Sequence, residues 1–235
     1  MLKNEMKKIL LISLLITFLS SCDLKTAEQY QSEAQILFEK KDYKGAINLL
    51  NKAIIKDDKY IGAYLDRGAN KGQLDDYIGA IKDFKKVLSI DSDNTLALFN
   101  IGKTYCNLKK YKLAIQFYNK AFDTKGKAFD TNGETVYIDL VDNKFVDLGY
   151  KNDVKKGDIF YERGIAYYNF NDLKNSFNDF KSCIQQNYNV KESYYWIGCI
   201  YLDVKKNDKA CECFYKAKEN GDNEIEFNEI QKYCK

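Results

Sequence analysis

Apolar and small residues recur along this chain with a step of 34 positions. Ala46, Ala80 and Ala114 follow one another at that step, as do Tyr43, Tyr77 and Tyr111. Ser176 comes 62 positions after Ala114, which is one period plus an insertion of 28, and Ala210 follows 34 later. Four residues beyond each small residue stands Leu50, Phe84, Tyr118, Phe180 or Phe214, and three further on Ala53, Val87, Ala121, Cys183 or Ala217. That spacing places all three on one stripe of an α-helix. A second helix precedes it in every period. Tyr30, Tyr64, Leu98, Phe160 and Tyr194 are each followed four residues on by Ala34, Gly68, Gly102, Gly164 or Gly198, where a small side chain lets the partner helix approach closely. Three residues later come Leu37, Tyr105, Tyr167 and Tyr201; the second period has Lys71 instead, which predicts looser packing there. A period of this length means stacked helical pairs, none of which buries its apolar face alone.

The pattern predicts an all-α chain of five helix-turn-helix units at about 27–60, 61–94, 95–128, 157–190 and 191–224. Proline is absent, so Asp57-Asp58, Asp91-Ser92-Asp93-Asn94 and Asn220-Gly221-Asp222-Asn223 supply the breaks through turn and N-cap chemistry. The insertion, about 127–154, carries Thr135–Val141 and Phe145–Leu148 around Asp142-Asn143-Lys144. It reads as a short β-hairpin or extended excursion, although Tyr137, Val141, Phe145 and Leu148 also suit a helix face. Long insertions in compact domains are often functional, so a neutral surface excursion and a partner-contacting arm both stay open. Residues 223–235 read as an amphipathic capping helix with Ile225, Phe227, Ile230 and Tyr233 on its apolar side.

The unit resembles the tetratricopeptide repeat, a pair of antiparallel helices A and B, over about 170 residues. The resemblance implies an α-solenoid that binds a partner in a groove lined by the helix A residues facing away from helix B. Those residues include Phe38 with Gln31 and Gln35 in the first repeat, Leu65 and Ala69 in the second, and Phe99, Lys103, Cys106 and Asn107 in the third. The fourth contributes Tyr161, Ile165, Tyr168 and Asn169, and the fifth Tyr195, Cys199 and Leu202. Ten of the 19 tyrosines, among them Tyr30, Tyr64 and Tyr118, occupy recurring core positions instead. Some family members clamp a peptide's terminal carboxylate with Lys and Asn. Gln31 and Gln35 stand at those places here, so the clamp is not carried over.

The first 22 residues follow a different pattern. Lys3, Lys7 and Lys8 precede an apolar run, Ile9 to Leu19, too short to span a bilayer. Leu19-Ser20-Ser21-Cys22 resembles the bacterial lipobox. That implies a signal peptide over 1–21, lipid attachment at Cys22 and a short tether over 22–26, with two or three acyl chains giving stable anchoring. Asp23 matches an inner-membrane retention signal of enteric bacteria but has no such meaning in other lineages, so either membrane stays open.

Charge and chemistry narrow the function. Without Lys3, Glu5, Lys7 and Lys8 the chain holds 34 basic and 33 acidic residues, a near-neutral balance that argues against nucleic acid. There is no histidine, which removes His-dependent triads and the usual zinc sites, and no Gly-rich phosphate loop follows a strand. The expectation is no enzyme, no cofactor and no metal. Cys211 and Cys213 point about 200° apart on a helix, which disfavours a thiolate cluster. Cys211 and Cys234 lie at similar distances on either side of the Gly221-Asp222 turn. In the repeat family, the position of Cys211 faces the next helix, so a Cys211–Cys234 disulfide is expected, with Cys213 pointing outward. The leading expectation is thus a lipid-anchored scaffold that binds an envelope protein or peptide, as tetratricopeptide lipoproteins of outer-membrane and pilus-secretin assembly do. The alternative is a glycan-binding envelope lipoprotein that stacks sugars on Tyr161, Tyr168 and Tyr195.

Overall fold

The structure, a computed structural model, describes residues 24–124, 154–221 and 232–234. The signal segment, Cys22, the expected hairpin and nearly all of the expected capping helix lie outside the described residues. Ten α-helices appear among the described residues: α1 (Ala27–Glu39), α2 (Tyr43–Lys56), α3 (Ile61–Gln73), α4 (Tyr77–Ile90), α5 (Thr95–Asn107), α6 (Tyr111–Asp123), α7 (Lys156–Asn169), α8 (Leu173–Gln185), α9 (Val190–Asp203) and α10 (Asn207–Glu219). Each odd-numbered helix is a helix A and each even-numbered one its helix B. The chain divides into two compact units, residues 1–63 and 64–235, with the division inside α3.

In the first unit α1 and α2 bury Ala27, Tyr30, Ala34, Ala46, Leu50 and Ala53 together with Ala63. A reciprocal cap starts α1. The Gln29 amide donates to Thr26 Oγ1 at 3.3 Å and the Thr26 amide to Gln29 Oε1 at 2.9 Å. Asp42 caps α2 by accepting from the Gly45 amide at 2.9 Å.

In the second unit the periodic positions are the core. Ala80, Ala114, Ser176 and Ala210 are fully buried, as are Tyr118, Phe180 and Phe214, with Phe84 nearly so. The helix A glycines sit directly against those rings. A Cβ on Gly68 would come within 2.6 Å of Phe84, and one on Gly198 within 2.4 Å of Phe214, so any side chain there would force the helices apart. The turn from A to B is equally regular. Asp75, Lys109, Asn171 and Lys205 all take left-handed backbone angles, φ 56° to 65°, without a glycine at the position. Asp76 and Asp172 then cap α4 and α8, accepting from Gly79 at 2.9 Å and Asn175 at 3.2 Å.

Repeats 3 and 4 stack directly although the insertion separates them in sequence. Phe122 meets Phe160 with ring centroids 5.2 Å apart, and Val154 and Ile159 join the core of Ala114, Tyr118 and Ala121. Arg163 donates to Asn119 at 2.8 Å while forming a two-bond fork with Asp179, both bonds 2.8 Å.

Three expectations need correction. Lys71 does not loosen repeat 2. Its ammonium lies 2.8 Å from Asp83, a buried carboxylate that Arg67 also grips at 2.9 and 2.7 Å. Cys213 does not point outward. It is buried beside Phe180, Ile197 and Ile200, because the turn of the helix that aims Cys211 away from this core aims Cys213 into it. Of the ten tyrosines assigned to the core only Tyr30, Tyr64 and Tyr118 are buried. Tyr43, Tyr77, Tyr105, Tyr111, Tyr167, Tyr194 and Tyr201 are half-buried along the seams, since a phenol keeps its hydroxyl near water. Cys211 and Cys234 form a disulfide with Cα atoms 5.5 Å apart, tying residue 234 to α10.

Candidate functional site

The A helices of repeats 3 to 5 carry most of the expected groove residues. Phe99 on α5 is half-buried, its ring 5.7 Å from that of Tyr118. Lys103, one turn on, is 54% exposed and reaches Glu162 on α7 at 3.8 Å. Tyr161, beside Glu162, packs edge-on against Phe180 at 5.9 Å. One face of α7 then brings Tyr168 to Trp196 of α9, edge-on at 5.1 Å. Trp196 also stacks on Phe180 at 5.8 Å and meets Tyr195 at 6.2 Å, while Tyr195 touches Phe214 at 5.7 Å. The groove tyrosines are therefore not idle surface residues. Each rests on the repeat core and is held in place by it.

Burial raises the Tyr161 pKa above the ordinary phenol value; burial and then the negative charge of Asp203 do the same for Tyr168. Burial also pushes the Glu162 carboxyl above the usual range, against the opposing pull of Lys103. The site is a strip of ordered aromatic rings with carboxylates beside it.

The remaining expected residues are not gathered there. Leu65 is 6% exposed and has almost no surface to offer, because its place on α3 is enclosed. Asn107 and Asn169 are exposed, and the Asn169 amide is turned back onto the Ile165 carbonyl of its own helix at 2.9 Å. Leu202 packs with Tyr195 and Cys199 against Ala210 and Phe214. Phe38 belongs to the first unit, where it lies 5.6 Å from Tyr43. Sequence reasoning missed Trp196 and Glu162. Both occupy the place immediately after Tyr161 and Tyr195 in the repeat, so the same register would have found them.

A second recess, of about 370 Å³, is lined by Phe177, Ile184, Tyr194, Tyr201 and Cys213 with Lys181, Lys209 and Lys216. Two of these lysines are engaged within the fold. Lys209 lies over the Tyr201 ring at 5.9 Å, and Lys216 lies over Tyr194 at 5.8 Å while bonding Glu212 at 2.7 Å. No cluster of metal-ligating side chains occurs among the described residues. Nor is any described helix long and apolar enough to cross a membrane.

Alternating A and B helices, glycines facing aromatic rings and a 34-residue step broken once by the insertion coincide with a match of the tetratricopeptide repeat family to residues 61–94, 96–127 and 191–220. The chain carries tetratricopeptide repeats. Solved structures of similar tetratricopeptide-repeat architecture include MamA from Desulfovibrio magneticus RS-1, at 16% identity and TM-score 0.65, covering 84% of this chain and 97% of that one. YrrB, described as a TPR protein with an unusual peptide-binding site, is similar at 19% identity and TM-score 0.62, with 88% and 92% covered. PilF of Pseudomonas aeruginosa is similar at 15% identity and TM-score 0.64, with 84% and 77% covered. At these identities the likeness establishes the fold. No curated protein sequence matches the chain. Tetratricopeptide repeats generally serve as scaffolds that bind proteins or peptides, and generally not as enzymes.

Proposed function

We propose that this tetratricopeptide-repeat protein is a lipid-anchored scaffold of the bacterial cell envelope that holds a partner protein or peptide against the A helices of repeats 3 to 5. The observation that carries the binding reading is the strip of Tyr161, Trp196, Tyr168 and Tyr195, four ordered rings on a face that the repeat fold does not need to close. Pre-ordered aromatic side chains offer a large contact area at small entropic cost, which is the usual chemistry of binding hot spots. The anchoring reading rests on Leu19-Ser20-Ser21-Cys22. The Cys211–Cys234 pairing supports export, since disulfides persist in oxidising compartments.

Each half has its own test. Tyr161→Ala combined with Tyr195→Ala should abolish capture of the partner from detergent-solubilised envelope while the helical circular dichroism stays unchanged. Capture undiminished in the folded double variant would remove the groove from the account. A glycan-array signal lost in the same variant, with no protein partner, would favour the sugar-binding reading. Cys22→Ala should leave an unacylated precursor, and a variant that still matures and partitions into membranes like wild type would reject lipid attachment at that residue.

A further inference from the structure

Three cysteines converge on one seam of repeat 5. Cys211 on α10 is joined to Cys234, and Cys199 on α9 keeps its thiol. Cys199 and Cys234 pack against the same two buried residues, Ala210 and Phe214, and Ala210 is the chain neighbour of Cys211. The helices that carry Cys199 and Cys211 fold back on one another about the turn at Lys205, six residues from each, so the two cysteines stand level.

The repeat register explains why they meet. Cys199, Cys211 and Cys234 lie one 34-residue step beyond Ile165, Phe177 and Ile200. Ile165 and Phe177 pack into the cluster that buries Ile200. One repeat earlier the places of Phe177 and Ile200 are held by Ile115 and Ala166, again in a single cluster. The position of Ile200 thus fills the notch between the two helices of the repeat before it. Cys234 takes that position after the last repeat, with Cys199 on one wall and Cys211 on the other. The remaining thiols among the described residues are placed elsewhere. Cys106 lies 3.8 Å from the Tyr118 hydroxyl, Cys183 lies 3.8 Å from the Gly157 carbonyl, and Cys213 is buried beside Phe180, Ile197 and Ile200.

We propose that Cys199, Cys211 and Cys234 form a disulfide-exchange site in which Cys234 bonds to either wall. The Cys199 thiolate attacks Cys234 Sγ. The Cys199–Cys234 bond forms as the Cys211–Cys234 bond breaks, and the electron pair leaves on Cys211 Sγ, which takes up the proton that Cys199 gave to solvent. One disulfide is present before and after, so no oxidant or reductant is consumed. The exchange moves the tether of the last residues from helix B to helix A of repeat 5, the helix that carries Tyr195 four residues before Cys199. A disulfide in an oxidising compartment persists, and a thiol beside it lets it change partners without being reduced. The site needs no partner molecule and does not depend on the groove reading above.

Non-reducing peptide mapping tests it. The full chain is oxidised with glutathione disulfide, freed of small molecules and held without oxygen at about pH 8.5, near the ordinary thiol pKa. It is then quenched, labelled with a maleimide and digested, all in acid. A Cys199–Cys234 peptide should appear beside the Cys211–Cys234 peptide, with Cys211 gaining the label that Cys199 loses. Cys199→Ser should abolish the first peptide and leave the second intact. Cys211→Ser, oxidised with glutathione disulfide, should join Cys234 to Cys199 with release of two glutathiones, while its helical circular dichroism matches wild type. A wild-type map with Cys199 fully labelled and no bond to Cys234 overturns the inference, and it decides alone if Cys211→Ser does not fold. So does a folded Cys211→Ser chain that keeps glutathione on Cys234, or a bond from Cys234 to Cys106, Cys183 or Cys213 in place of Cys199.

Discussion

Repeats 2 and 4 join their two helices with a buried ion pair, whereas repeats 3 and 5 place apolar side chains at the same two positions. Arg67 with Asp83 and Arg163 with Asp179 correspond to Ile101 with Phe117 and Ile197 with Cys213, each pair separated by 16 residues. The surrounding structure compensates for the difference. Asp83 receives Lys71 as a second cation, and Arg163 receives Asn119 and an aromatic surround from Phe122, Phe160 and Tyr167. A buried carboxylate and guanidinium are tolerated only when nearly all their hydrogen-bonding capacity is met. The apolar pairs need only volume. The backbone of the repeat therefore accepts either solution, and the choice is felt in what happens when one partner is removed.

The largest effect is expected for Asp179→Ala, which strands Arg163 in a largely buried place. It should lower stability by about 3–5 kcal/mol in urea unfolding. A loss below about 1 kcal/mol would mean that the fork is a bystander, and the contrast between repeats would disappear. Ile101→Ala, in the apolar class, should cost somewhat less, about 2–4 kcal/mol, as a buried side chain is truncated to leave a cavity. Converting repeat 4 to the chemistry of repeat 3, Arg163→Ile with Asp179→Phe, should change stability by no more than about 2 kcal/mol, because both charges leave together. A loss as large as that of Asp179→Ala alone would show that repeat 4 depends on the ion pair itself, through Asn119.

The smallest effect concerns pH. Cys213 occupies the place that Asp83 and Asp179 hold in their repeats, and burial pushes its thiol from 9.0 up to about 11. The folded state thus favours the neutral thiol. Its contribution is fully present below pH 9 and is lost as pH rises through about 11, because the unfolded chain ionises first. Stability should decline across that window, and less steeply in Cys213→Ala. An identical slope in the two proteins would place the alkaline sensitivity elsewhere.

Much of the fold was legible because a solenoid repeats its instructions. Ala46, Ala80, Ala114, Ser176 and Ala210 mark the same buried spot five times, and that redundancy exposes the register through any one irregular repeat. The groove was legible only as a face. The repeat register named Tyr161, Tyr168 and Tyr195 and extends to Glu162 and Trp196, but it did not show that Tyr161 packs on Phe180, that Tyr168 and Tyr195 both meet Trp196, or that Glu162 reaches Lys103.

By itself, then, the sequence determined the helical pairs, their order and the small and helix B core positions, since these depend on neighbours three, four and seven residues away and on a 34-residue step broken once by the insertion. Only the tertiary structure decided what depends on helices distant in sequence. It turned Lys71 from an expected defect into a partner of Asp83, and it placed Cys213 inside and Cys211 against Cys234. It also brought Asn119 to Arg163 across 44 positions. Periodicity says which side of a helix a residue occupies. Which charge, thiol or ring stands opposite it is set by packing.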